Sequence, residues 1–335
     1  MMTPNISLHV NNSDDCYGYS CRCLIYLDYK TMDMTMFSFY LFFLLVGLIE
    51  NIIVIWINWR MEGSRKESKL YIFNMAIADL CAVLFIPFRM AETFYNYHWI
   101  WGDFLCKFDS FIYFVTLYSS IFFLTCFSID RYVSLRYPFQ AQGSRDRHIR
   151  RMVCVCMWTV AILLSVPQFV HSEIFDIVYI YCHLSHTLSL YVTNSLTLVL
   201  GFIIPLPIII LSNIFTARAV KNSSNPESIK TSKIIYGYII AFLICWLPFY
   251  IIVLLSLLDI FLDCIVLKFV YFFYDMVECL SFFHCIVNPI LYNFIHKDFR
   301  DHLTASVVKY MPKRYVKEDD DVSISSDTRH IVVIT

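Results

Sequence analysis

The chain has 335 residues, of which 59% are hydrophobic, 18% aromatic and only 16% charged, with seven glycines and a formal net charge of −1. That balance leaves too little polar cover for a water-soluble domain and describes a chain that lives in lipid. It also offers no basic excess for nucleic acid, which is not expected as a partner.

Residues 1–35 are polar and lack the apolar core of a secretory signal, so the first span is expected to act as its own uncleaved targeting signal. Apolar stretches follow at about residues 36–59, 70–91, 102–135, 152–171, 188–219, 234–258 and 265–295. Each reaches the roughly 20 residues a helix needs to cross a hydrocarbon core of about 30 Å. Helices are required there because unpaired backbone groups are too costly in lipid. The fold class is therefore an all-α membrane protein, a bundle of seven transmembrane helices. Residues 296–310 read as a short amphipathic eighth helix along the membrane face. An acidic cytoplasmic tail is expected over residues 311–335.

Cations sit mainly in alternate loops: Arg60, Arg65, Lys66 and Lys69; Arg136, Arg145, Arg147, Arg150 and Arg151; Arg218, Lys221, Lys230 and Lys233. The opposite loops carry few, mainly Lys107 and Lys268, which places residues 1–35 outside; the plasma membrane is the expected location. Asn5-Ile6-Ser7 and Asn11-Asn12-Ser13 then become glycosylation acceptors. The cysteines divide in the same way. Cys16, Cys21, Cys23, Cys106, Cys182 and Cys264 form an even set in an oxidising space, whereas seven others lie in spans as small apolar residues. Cys106 is expected to bridge to Cys182. Cys23 is expected to bridge to Cys264, with Cys16 and Cys21 as competing partners.

Polar residues inside spans are expensive and informative. Asp79, Asn51, Ser120 and Asn288 gather mid-bundle, where a carboxylate and neutral oxygens either hold a small monovalent cation such as sodium or act as a hydrogen-bonded polar core. No other cofactor is expected. Arg131, beside Asp130 and Tyr132 at the inner end of the third span, can pair with its neighbouring carboxylate when the bundle is closed and swing free when it opens. Pro248 and Pro289 remove backbone hydrogen bonds from the sixth and seventh spans, where kinks are expected. Trp246 lies one turn below the expected pocket floor.

Taken together, Asn51, Asp79, Cys106, Asp130-Arg131-Tyr132, Trp158, Trp246-Leu247-Pro248 and Asn288-Pro289-Ile290-Leu291-Tyr292 resemble the rhodopsin-like G-protein-coupled receptors. Ile86-Pro87, Trp99-Ile100-Trp101-Gly102 and the extra pair Cys23 and Cys264 resemble the chemokine-receptor branch, and longer runs such as Tyr271-Phe272-Phe273-Tyr274-Asp275 resemble its atypical members. By that resemblance Trp246 is a switch residue. Two small-ligand readings fail, because Phe282 stands where an opsin has its lysine and Tyr113 where amine receptors have an aspartate.

The outer surface is acidic instead, with Asp14, Asp15 and Asp176 outside and Glu92, Asp109, Asp275 and Glu278 near the walls of the mouth. Such a field steers a basic polypeptide, and the resemblance implies chemokines. Tyr17 and Tyr19, after Asp14 and Asp15, and Tyr26 and Tyr29, beside Asp28, have contexts that suit sulfation, or serve as plain aromatic contacts. By resemblance Glu278 meets the amino terminus of the ligand. Arg89, which replaces a tryptophan usual in the branch, faces the same cavity and is the alternative partner of Glu278.

On the output side, Asp130-Arg131-Tyr132 continues as Val133-Ser134-Leu135-Arg136, a departure from the branch. Asn213 stands where the family places a tyrosine that bridges to the Tyr292 position. Losing that bridge costs the open state about 1 kcal/mol, which implies weak or absent G-protein coupling. Ser323, Ser325, Ser326 and Thr328 among acids suit phosphorylation and contact with arrestin or an endocytic adaptor. The reading is an atypical chemokine receptor that scavenges its ligand into endosomes, with a G-protein-signalling chemokine or peptide receptor as the alternative. No metal-spaced His/Cys cluster, nucleophile elbow or phosphate loop supports an enzyme.

Overall fold

The computed structural model describes residues 29–60, 69–95, 98–137, 144–176, 180–184, 187–221, 226–258, 273–274 and 276–295. Helices dominate: α1 (Tyr29–Arg60), α2 (Lys69–Phe94), α3 (Gly102–Arg136), α4 (Ser144–His171), α5 (Thr187–Leu198), α6 (Pro205–Lys221), α7 (Pro226–Leu257) and α8 (His284–Ile295). Six helical spans are long and apolar enough to cross a membrane, the fifth being α5 and α6 joined, and the shorter apolar helix Met276–Leu291 supplies the seventh. The bundle of seven is thus the expected one. The amphipathic segment expected over residues 296–310, the tail and residues 1–28 lie outside the described residues.

Helix α1 shows why an apolar sequence packs with a definite face. Met36, Tyr40, Phe43, Gly47, Asn51 and Val54 recur at three- and four-residue spacing and are buried, whereas Phe42, Leu45, Ile49 and Ile52 form the opposite, exposed stripe. Both stripes are mostly apolar, because one meets protein and the other meets lipid. The helices close into a ring: α1 packs on α2, α2 on α3, α6 on α7, α7 on α8, and α8 returns to α1 and α2. Helix α3 runs through the middle, touching α2, α4 and α6. Trp158 on α4 ties to α2 by donating Nε1–H to the Asn74 side-chain oxygen at 3.0 Å.

The all-α expectation gains one addition. Strands β1 (Ser172–Asp176) and β2 (Ile180–Leu184) form an antiparallel hairpin at one end of the bundle, with Ile174 opposite Cys182. The Cys106–Cys182 disulfide, with its Cα atoms 5.6 Å apart, fastens that hairpin to α3 as expected. Cys16, Cys21, Cys23 and Cys264 lie outside the described residues. The seven cysteines assigned to spans are all free thiols.

Two spans are less regular than their apolar patterns predict. The fifth contains a π-helical turn at Val199–Ile203, where Ile204 N–H reaches back to the Val199 carbonyl at 3.0 Å, just before Pro205, which has no N–H to donate. The seventh is interrupted at Phe282 and Phe283, whose N–H groups bond to Cys279 and Leu280 three residues back. Pro248 and Pro289 sit inside helices that continue through them. In α8 the carbonyl that Pro289 leaves unserved, that of Cys285, accepts instead from the Asn51 side-chain N–H at 2.8 Å. An asparagine on the first span therefore completes the backbone of the seventh.

The π turn has a packing use: it brings Gly201 against Tyr250, whose ring stacks on Phe202 with centroids 4.7 Å apart. A Cβ at Gly201 would lie 2.2 Å from the Tyr250 hydroxyl. Gly201→Ala should lower stability by about 1–3 kcal/mol, the usual cost of overpacking. Thermal unfolding in detergent should show part of the loss recovered on a Tyr250→Phe background, and no recovery would mean that this close approach is not the constraint.

Candidate functional site

Gly102 opens α3 with a φ of +79°, a left-handed conformation that its missing Cβ permits. Trp99, buried at 2% exposure, donates its indole N–H to the Gly102 carbonyl at 2.9 Å. Together with the disulfide, this sets the start of α3 and so the height of Asp109 within the bundle. Below the hairpin, α1, α2, α3, α4, α5 and the seventh span enclose a cavity of about 270 Å³.

Its charged wall is compact. Arg89 on α2 lies 2.9 Å from Asp109, 3.1 Å from Glu92 and 3.4 Å from Glu278. A single guanidinium fork therefore serves three carboxylates from three spans, all in largely desolvated surroundings where such contacts are strong. The guanidinium carbon also stands 5.8 Å from the centre of the Tyr113 ring. Tyr113 lies 3.5 Å from the Ser281 hydroxyl, which donates to the Glu278 backbone carbonyl. Of the sequence-predicted binding residues, Arg89, Glu92, Asp109, Tyr113 and Glu278 are thus brought together. Asp176 ends β1, and its side chain lies outside the described residues, as do Asp14, Asp15, Tyr17, Tyr19 and Asp275.

A second polar cluster lies mid-bundle. Ser120 donates to Asp79 at 2.7 Å and Asn288 to its other oxygen at 2.9 Å, so the predicted trio meets. Two residues that the motifs did not single out join it. His284 places Nε2 3.3 Å from Asp79 and 3.4 Å from the Cys285 sulfur, while Nδ1 faces the Ser281 carbonyl. The imidazole also packs on Trp246 with ring centroids 4.7 Å apart. The donor set is therefore mixed, with hard oxygens from Asp79 and Ser120 beside a nitrogen and a thiol. His284 lies four residues before Asn288, the spacing of one helical face, and that was the available signal.

At the end away from the disulfide, Asp130 accepts from Arg150 of α4 at 2.6 Å, with both side chains nearly buried. Arg150 was counted among loop cations, but α4 begins at Ser144, earlier than the apolar pattern, and carries Arg150 into the bundle. Arg131 is half-buried next to Asp130, and Tyr132 packs against Phe215. Asn213 is buried on α6 and donates to the Ser128 hydroxyl of α3 at 3.3 Å and to the Ile209 carbonyl at 2.8 Å. The side chain of Tyr292 lies outside the described residues, as do Asn5, Asn11, Ser323, Ser325, Ser326 and Thr328.

Seven apolar helices, a hairpin stapled to the third, and a polar core on the second, third and seventh define a heptahelical membrane receptor. The sequence matches the family described as 7 transmembrane receptor (rhodopsin family) over residues 50–292, and the chain belongs to it. It is similar to G-protein coupled receptor 182 of Rattus norvegicus, 38% identical over 93% of this chain and 82% of the relative. It is also similar to atypical chemokine receptor 3 of Homo sapiens, 33% identical over 95% and 92%, and to type-1 angiotensin II receptor A of Xenopus laevis, 29% identical over 80% and 78%.

Arg89→Leu leaves three carboxylates crowded without their cation. It should destabilise the receptor by about 2–3 kcal/mol, somewhat less than a fully buried pair because the guanidinium keeps some exposure. Melting of the purified protein should show Arg89→Leu/Asp109→Asn to be more stable than Arg89→Leu alone. An equal or lower melting temperature for the double variant would remove charge crowding as the cause.

Proposed function

We propose that this receptor binds basic chemokines at the cell surface and internalises them with weak or no G-protein signalling. The observation that carries this reading is the cavity at the disulfide end, where three carboxylates surround one arginine and leave an unbalanced negative field for a cationic polypeptide. In this reading the disulfide end and residues 1–35 face outward, and Glu278, Asp109, Glu92 and Asp275 meet the ligand. Asp176, Asp14, Asp15, Tyr17 and Tyr19 then attract it at the rim. A bridge of Cys23 to Cys264 shapes that rim, and Asn5 and Asn11 are glycosylated.

Asn213 supports the weak output. Its amide already ties α6 to α3 through Ser128, and it is too short to supply the active-state bridge toward Tyr292 that a tyrosine supplies. Internalisation toward endosomes would use phosphorylated Ser323, Ser325, Ser326 and Thr328 on arrestin or an adaptor. Sodium would be held by the oxygens of Asp79 and Ser120, with Asn288 positioning the carboxylate. One further reading has its own support: the nearly buried pair of Asp130 with Arg150 is an intact lock of the kind a signalling receptor must break to reach a G protein.

Cells lacking functional G proteins should still take up a labelled basic chemokine through this receptor, and uptake that vanishes in them would favour the signalling reading. Glu278→Gln should weaken binding about tenfold, equivalent to about 1.4 kcal/mol, and binding should weaken with added salt. Asn213→Tyr should raise ligand-stimulated nucleotide exchange several-fold above the unmodified receptor, measured with purified G protein.

A further inference from the structure

Three lone pairs converge at the first residue of α8. The Nδ1 of His284 faces the Ser281 carbonyl, which can only accept, so that nitrogen carries the ring proton and Nε2 presents a lone pair. Nε2 lies 3.3 Å from the Asp79 carboxylate and 3.4 Å from the Cys285 sulfur. The three ligand atoms are all within 4.8 Å of one another, and all three residues are buried. Ser120 and Asn288 donate to the two oxygens of Asp79 and hold the carboxylate in place. An imidazole lone pair and a carboxylate at this range repel unless a second ring proton or a metal ion joins them. A proton serves two of the three atoms; a metal ion serves all three.

We propose that Asp79, His284 and Cys285 form a binding site for a thiophilic divalent cation, zinc above all, between α2 and α8. Zinc bonds of about 2.0–2.1 Å to nitrogen or oxygen and about 2.3 Å to sulfur give tetrahedral edges of about 3.3–3.6 Å. The separations of 3.3 Å and 3.4 Å about Nε2 match such edges. Magnesium and calcium, which call for six or more oxygens, do not suit a set with one nitrogen and one sulfur. A fourth ligand has room. Beside His284, a cavity of about 10 Å³ lined by Ser120, Cys245, Trp246 and Asn288 takes about one water. Cys285 binds as the thiolate, its proton released to water, and His284 binds through the nitrogen that Ser281 leaves free. So held, the ion ties α2 to the start of α8 beside Trp246, whose ring packs on His284. Sodium on the oxygens of Asp79 and Ser120 would share the carboxylate, so the two ions exclude each other. Nothing in this site depends on what the outer cavity captures.

The probe is cobalt(II), which occupies zinc sites and reports them by colour, added to the purified receptor after dialysis against a chelator. The wild type should develop the near-ultraviolet band of thiolate-to-cobalt charge transfer together with the strong visible bands of a tetrahedral ion, and zinc should displace both. Cys285→Ser should abolish the near-ultraviolet band, whereas Cys126→Ser and Cys156→Ser keep it. His284→Asn should weaken zinc binding at least about tenfold. Zinc should raise the melting temperature of the wild type and leave that of Cys285→Ser unchanged. Absence of the band in the wild type overturns the proposal. A band that survives Cys285→Ser overturns it as well, by placing the metal on other thiols as an adventitious ion only. The wild-type spectrum requires no variant receptor, so a misfolded substitution does not shield the proposal, and its failure leaves the uptake of a basic chemokine untouched.

Discussion

Hydrocarbon supplies no hydrogen bonds, so polar groups inside the bundle gain most from partners in protein, and those partnerships help fix how the apolar helices sit. Pro289 shows the constraint at one atom. Its ring removes the donor that would serve the Cys285 carbonyl, and the Asn51 amide, 234 positions earlier, fills the gap at 2.8 Å. Asp79 is served in the same way by Ser120 and Asn288. Leucine and phenylalanine fill these spans but gain little by choosing protein over lipid. The polar contacts add direction: they specify which face of the first, second, third and seventh spans turns inward.

What was legible in the sequence follows from this division. Spans long enough to cross a membrane declare themselves through length and composition, and Asp79, Ser120, Asn288 and the carboxylates at 92, 109 and 278 stand out because polar and charged side chains in lipid are costly. Arg150 was hidden because a cation just before an apolar run looks like a loop residue, and only the earlier start of α4 turns it inward onto Asp130. His284 was hidden because a histidine on an apolar face reads as core. The π turn at Val199–Ile203 and the break at Phe282 and Phe283 left no trace in the apolar pattern, since hydrophobicity does not report which carbonyl an N–H selects. The hairpin of β1 and β2 is short, five residues to a strand, and the Cys106–Cys182 bond ties it to α3.

Two arginine clusters lie at opposite ends of the bundle. Arg150 and Asp130 meet at 2.6 Å, whereas Arg89 is shared by three acids. A matched, nearly buried pair has its charge cancelled in place, and breaking it exposes both members to a poor solvent. Around Arg89, by contrast, one guanidinium is spread over acids from three spans, so removing it affects all three at once.

One chain of contacts from the cavity toward the middle of the bundle runs along the seventh span. Contacts lead from Glu278 through its carbonyl to Ser281, from the Ser281 carbonyl to His284, and from His284 to Trp246 and Asp79. This route coincides with the interruption at Phe282 and Phe283, where three-residue hydrogen bonds replace the regular ladder. A continuous helix would carry a displacement of Glu278 along its axis as a rigid body; a turn absorbs part of it in backbone torsion. Below the turn, α8 is held by Asn51 and by Asp79, which both Asn288 and His284 reach. Contact alone does not make coupling, which requires that the ligand stabilise one of two arrangements at the far end over the other. Here His284 and Asn288 share Asp79, so the contact route from the cavity ends on the same carboxylate that holds α8.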